Sequence, residues 1–232
     1  MKRRLDQRFA MLMIMLFICS SGVFAQEYPP SFPSHDARMV LDNEAVTVWD
    51  VTWKKGKPTS MQECPLDQLS VTLNEGAVKV TKRGGAWAIE EERFGSVRLE
   101  SKGTVEAKEG VSEQPSRQII FQLKDYAPHN EPIIKGVPGQ FPRPGATKLF
   151  ETDRIIVWDT TWTDLSQLHA HYTHTAAVFI QGGTIHSFSP QGEGHRNVTH
   201  KAGDVIMGSL RNVPHQEQQI EGSPRAIWIE FK

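Results

Sequence analysis

His169-Ala170-His171-Tyr172-Thr173-His174 leads into the apolar run Ala176-Ala177-Val178-Phe179-Ile180-Gln181-Gly182-Gly183-Thr184-Ile185. In an extended chain successive side chains take opposite faces, so His169 and His171 share one and their imidazoles can converge on a single ion. The run that follows is short, apolar and rich in β-branched residues, which predicts a strand. Gly182-Gly183 can take positive φ without steric cost and predicts a tight hairpin turn into a second strand. A His-x-His pair on a strand needs a third ligand and a suitable scaffold before it means a metal site, and both are sought in the rest of the chain.

The scaffold is a repeat. Val46-Thr47-Val48-Trp49-Asp50-Val51-Thr52-Trp53 recurs 109 residues later as Ile155-Ile156-Val157-Trp158-Asp159-Thr160-Thr161-Trp162. The halves also end alike, Arg117-Gln118-Ile119-Ile120-Phe121-Gln122-Leu123-Lys124 against Arg225-Ala226-Ile227-Trp228-Ile229-Glu230-Phe231-Lys232. A long internal repeat means two similar domains, placed at 38–125 and 148–232. Between them residues 126–147 are rich in Pro and Gly and read as a semi-rigid linker that can also wrap one domain. Residues 26–37, with Pro29, Pro30 and Pro33, read as a lead-in arm. Within each half, short alternating segments are punctuated by Gly, Asn and Asp, and no segment has the period of a long helix. The expected class is all-β, two barrels or jelly rolls in tandem. The paired Trp49/Trp53 and Trp158/Trp162 then read as core rather than as a carbohydrate platform.

The halves differ where chemistry is expected. Aligning Gly76 with Gly183 sets Gln62 against His169, Cys64 against His171 and Asp67 against His174. The first half is also about eight residues shorter where the second carries Asn212-Val213-Pro214-His215. Seven of the nine histidines lie between His169 and His215, so one working site is expected in the second half and a structural partner in the first.

Composition and address narrow the partners. Lys2, Arg3, Arg4 and Arg8 precede the apolar run Ala10 to Cys19, and Val23-Phe24-Ala25 offers a cleavage site, the three parts of a secretory signal cut after Ala25. The run is shorter than the ~18 apolar residues a membrane span needs. Taking off residues 1–25 removes a net charge of +3 and changes the total from −1 to −4, which gives no footing for nucleic acid. The expected product is secreted or periplasmic, without a membrane anchor after cleavage. Cys64 remains the only cysteine, so no intrachain disulfide forms. It reads as a small buried hydrophobe.

On these residues the second half resembles a cupin and the whole resembles a bicupin. The motif G-x5-H-x-H-x3,4-E-x6-G is met by His169, His171, then Ala176 in place of Glu, then Gly183. The second motif, G-x5-P-x-G-x2-H-x3-N, is met loosely by Gly203 to Gly208 and His215, with Ser209 and Arg211 at the Pro and Gly places and Gln219 at the Asn place. The resemblance implies two tandem double-stranded β-helix barrels, with a divalent ion held by His169, His171 and His215. Imidazoles suit Zn, Fe, Cu, Ni and, less well, Mn. Without the motif's carboxylate the ion keeps its full charge, which favours an anionic chelating ligand. Three further candidates are His174, which could turn into the shell, Glu217, two residues past His215, and Tyr172 near the mouth. His186, His195 and His200 read as surface residues.

The functional expectation is a metal-dependent oxygenase acting on a chelating enolic or phenolic small molecule, as the resemblance to three-histidine cupins implies. The alternative is a non-catalytic metal- or small-ligand-binding cupin of the cell envelope. A metal-assisted isomerase ranks third, because the sequence offers no general base for it. An exposed barrel edge makes a homodimer a further expectation.

Overall fold

The computed structural model describes residues 27–128, 130–164, 167–189, 195–208 and 211–232. The expected signal segment and the Gly-rich stretch 191–194 lie outside them. The described residues form sixteen strands and no helix. They are β1 Ala37–Asp42, β2 Val46–Trp53, β3 Gln62–Glu63, β4 Asp67–Asn74, β5 Gly76–Lys82, β6 Trp87–Glu92, β7 Val97–Glu100, β8 Val105–Gly110, β9 Ser116–Leu123, β10 Ala146–Glu151, β11 Ile155–Thr161, β12 His169–His171, β13 Thr175–Phe188, β14 Arg196–His200, β15 Val205–Gly208 and β16 Arg211–Phe231. In the first half β1-β2-β9-β4-β7 form one sheet and β3-β8-β5-β6 another. In the second, β10-β11-β16-β13-β14 run in one sheet, with β12 on β16 and β15 on β13.

Period-two alternation explains how three cores arise from two barrels. On β2 the odd residues Trp49, Val51 and Trp53 face into the first barrel with Ile120, Val78 and Val80. The even residues Val46 and Val48 face the other way, with Leu69, Val71, Ile119 and Phe121. The second half repeats this: Trp158, Trp162, Ala177, Phe179 and Trp228 fill its barrel, while Val157, Ala176, Val178, Ile180, Ile227 and Ile229 join the outward face of the first half in one shared core. The central strands are apolar on both faces because both are covered. The four Trp side chains lie in the barrel interiors, and each indole N–H has an acceptor: Gln122, Gln118, Glu230 and Glu217 respectively.

Two features differ from the sequence reading. No hairpin forms at Gly182-Gly183: β13 runs straight through them, paired to β16 with register shifts on either side. Neither glycine has positive φ. What they supply is room, since a Cβ on Gly183 would lie 2.7 Å from the Glu221 carbonyl oxygen and one on Gly182 2.7 Å from that of His200. Second, the repeat reaches further toward the amino end than the strands alone indicate. Phe32 stacks on Trp49 at 5.2 Å between centroids, and Phe141, 109 residues later, stacks on Trp158 at 5.0 Å. The backbone pairs likewise, Glu63 N–H donating to Pro29 O at 2.8 Å and Ala170 N–H to Pro138 O at 3.0 Å. Each barrel therefore receives a proline-rich arm into its interior, and the arm of the second is drawn from the stretch between the halves.

Cys64 is buried, as expected of a small apolar side chain. Burial, with Glu100 nearby, pushes its thiol up to about 12. Only the thiolate attacks an alkylating reagent, so iodoacetamide at pH 8 is expected to label the folded chain about 100-fold or more slowly than the chain in urea, read by mass spectrometry. Equal rates would place the thiol at the surface.

Candidate metal centre

The imidazoles of His169, His171 and His215 meet inside the second barrel. The pairing of β12 with β16 sets His169 opposite His215, and His171, two residues on, keeps the same face. Ring centroids lie 4.4 Å apart for His169 and His215, 4.8 Å for His171 and His215, and 5.4 Å for His169 and His171. Glu217 follows His215 by two residues on the same strand face, and one donor atom from each of the four lies within 4.8 Å of the others.

The hydrogen bonds aim these donors inward. His169 Nδ1 lies 2.9 Å from the Gln167 carbonyl oxygen, and His215 Nδ1 lies 3.0 Å from that of Val213. A ring nitrogen against a carbonyl must carry a proton, so in the neutral ring of either residue Nε2 is the nitrogen with the lone pair. His169 Nε2 is buried with no protein partner among the described residues, and His215 Nε2 lies 3.8 Å from Glu217 Oε1. Burial pushes His169 down to about 4 and His171 down to about 3, with the neighbouring charges of the cluster adding smaller effects. Both rings are neutral, and so able to ligate, throughout the ordinary pH range.

Glu217 brings a carboxylate to the imidazoles from a position other than the motif's. Its Oε2 accepts from Arg143 Nη1 and from Trp162 Nε1, each at 2.9 Å, leaving Oε1 toward the imidazoles. Burial alone would raise this carboxyl, but the adjacent His215 ring and the charge of Arg143 hold it well below the usual carboxylate range. Arg143 comes from the arm between the halves, is 7% exposed and lies over the Trp162 ring at 4.8 Å. Sequence reasoning missed Arg143 because it lies outside the strands; the recurrence of Phe32-Pro33 as Phe141-Pro142 is the signal that marks its arm as part of the barrel.

The remaining candidates lie elsewhere. Ala176 could not have served as a ligand position, since it faces the core shared by the halves; alternation turns Thr175 and Ala177 inward instead. His174 does not join the cluster, because its Nδ1 meets the Tyr126 hydroxyl and its ring stacks on that tyrosine. Tyr172 fastens the arm, its hydroxyl donating to Val137 O and accepting from Ile134 N–H, both at 3.1 Å. His195 is exposed. His200 was expected at the surface but stacks on Phe179 at 3.8 Å, and burial lowers its basicity. Ser209 lies outside the described residues.

No family model matches the sequence, and no curated protein matches it. Solved structures do match in shape. Protein Ylba from E. coli aligns with a TM-score of 0.58 at 10% identity, over 90% of this chain and 88% of that one. A Lactobacillus farciminis oxalate decarboxylase in complex with formate aligns at 0.55 and 13% identity, over 85% and 84%. The Bacillus subtilis oxalate decarboxylase, a structure described by its Mn(II) centres, aligns at 0.50 and 14%, over 82% and 69%. At these identities the likeness establishes the fold. The chain has the bicupin fold, two cupin barrels in tandem, and its second barrel gathers His169, His171, His215 and Glu217.

Proposed function

We propose that the chain is an exported bicupin whose second barrel binds one divalent metal ion through His169, His171, His215 and Glu217, and that the ion serves an oxygenase acting on a small enolic or phenolic chelator. The observation that carries the metal reading is the pair of Nδ1-to-carbonyl contacts, which turn the Nε2 lone pairs of His169 and His215 into a space faced by a carboxylate that stays ionised. Three imidazoles and one carboxylate oxygen suit Fe, Mn, Zn, Cu or Ni, and the similar Bacillus structure is described by its Mn(II) centres. A divalent ion there would polarise a chelated oxygen and lower the pKa of bound water.

The charge count supports an anionic substrate. Arg143 neutralises Glu217, so the protein shell as a whole leaves the ion's two charges uncompensated, and an enolate or phenolate offsets them best. Glu217, held ionised by two donors on one oxygen, is a poor general base at neutral pH, which weakens the isomerase reading. Phe179 and Trp228 belong to the apolar core of the same barrel.

The alternative reading, a non-catalytic envelope cupin that captures the ion or a small ligand, draws on the first barrel, where Gln62 and Cys64 stand in place of the two strand imidazoles.

Metal analysis decides first. The purified chain is expected to carry one equivalent of a transition metal, lost in both His169→Ala and His215→Ala. Only trace metal in the wild type after incubation with Mn, Fe, Ni, Cu and Zn ends the metal reading. Oxygen uptake with a panel of flavonols and diketones then separates catalysis from capture.

A further inference from the structure

The proline-rich arm of the second barrel brings one more polar side chain to the imidazoles. Gly139 forms a parallel bridge with Ala170, so the residues that follow, Gln140 and His171, stand side by side. Bridged residues share a face and their neighbours take the other, which puts Gln140 on the face of His169 and His171. The Cβ that Gly139 lacks would lie 3.6 Å from Tyr172 Cδ2, and Tyr172 alternates with His171, as that parity requires. Gln140 is 5% exposed. Among the described residues neither its Oε1 nor its Nε2 has a hydrogen-bond partner, and a buried amide left so costs the folded chain stability.

The first barrel has the same place and closes it. Pro30 bridges Glu63 as Gly139 bridges Ala170, so Ser31 stands where Gln140 does. Ser31 Oγ accepts from Gln68 Nε2 at 2.6 Å, and both line one cavity with Cys64, the residue in the place of His171. Gln68 lies opposite Gln122 as Thr175 lies opposite Glu230, and Gln122 and Glu230 accept from the corresponding Trp49 and Trp158. The counterpart of the Ser31–Gln68 pair is therefore Gln140 with Thr175. Thr175 is 1% exposed, and its Oγ1 also lacks a partner among the described residues. The place is satisfied in the barrel without the imidazoles and open in the barrel that has them.

We infer that Gln140 and Thr175 form a ligand subsite on the His171 side of the metal cluster, and that its ligand carries an un-ionised hydroxyl beside its chelating oxygens. A primary amide offers N–H donors and an acceptor, and a hydroxyl both gives and accepts. A second carboxylate only accepts, so it would leave Gln140 Oε1 unpaired and bring a charge that two neutral side chains do not balance. The substrate class narrows to hydroxylated chelators and away from dicarboxylates, given the metal reading proposed above, on which this rests.

The probes are glycolohydroxamate and propionohydroxamate, which chelate through the same two oxygens and differ by a hydroxyl against a methyl group. Each is titrated into chain loaded with Co(II), whose visible absorption changes as the chelator binds. Wild type is expected to bind glycolohydroxamate about 10-fold more tightly than propionohydroxamate, as for one buried hydrogen-bonding group left unpaired. Gln140→Leu is expected to take up cobalt as wild type does and to lose the preference. Should that variant fail to fold, Gln140→Met and Thr175→Val carry the same comparison. Equal affinities in wild type, or an undiminished preference in the folded variants, overturn the inference and leave the metal reading intact. A wild-type chain that takes up no cobalt ends the metal reading and this inference with it.

Discussion

Glu217→Ala is expected to lower the stability of the metal-free chain by about 3 kcal/mol, as for a buried ion pair stripped of one partner, and to weaken divalent-ion binding by at least about 10-fold. The stability loss arises because Arg143, 7% exposed, would keep its charge with no carboxylate beside it, and Trp162 Nε1 would lose its acceptor. Glu217→Gln separates the two effects. Its amide oxygen can still accept from both donors, so most of the stability is expected to return, while the ion still lacks an anionic ligand. Urea denaturation and a metal titration read the two quantities independently. Wild-type affinity in the Ala variant would show that Glu217 serves only as the partner of Arg143.

The metal-free chain is expected to lose stability steeply as pH falls below about 6.5. Burial holds His169 down to about 4 and His171 down to about 3, while both titrate near 6.5 once unfolded. Between those values the unfolded chain binds more protons than the folded one, so acid favours unfolding. The contribution is fully present above pH 6.5 and disappears as pH falls toward 4. Each imidazole contributes a slope of about 1.4 kcal/mol per pH unit in that window. Glu217, whose folded carboxyl is held low, adds a loss of the same sign only below its unfolded value, about 4.3. The urea midpoint of chelator-treated protein, measured from pH 7.5 to 4.5, should fall accordingly, and His169→Ala/His171→Ala should flatten the curve. A flat wild-type curve would mean that these rings are solvated.

Much of the architecture is legible in the chain. The 109-residue recurrence of Val46–Trp53 as Ile155–Trp162 and the alternation inside each copy imply two β-barrels, because sheet parity is a local property of extended backbone. The shared face of His169 and His171 follows from the same parity. Two things were misread. Gly182-Gly183 looks like a turn in sequence, but close passage of the Glu221 and His200 carbonyls is a long-range event and makes it a crossing point on a continuous strand. Ala176 sits at a motif spacing that counts residues, yet parity turns it toward the neighbouring barrel. Residues 126–147 read as a connector able to wrap one domain; that its Phe141 repeats Phe32 at the same offset and stacks on Trp158 as Phe32 does on Trp49 is what the structure adds.

Sequence alone determined the fold class, the duplication and the shared face of two histidines, since each depends on residues near one another along the chain. The tertiary structure decided that Glu217 faces the imidazoles and that Arg143 reaches it from the arm. It also decided that Gln140 stands beside His171. Those placements depend on strand register and on where a proline-rich arm enters a barrel, and both are settled by packing between segments far apart in the chain.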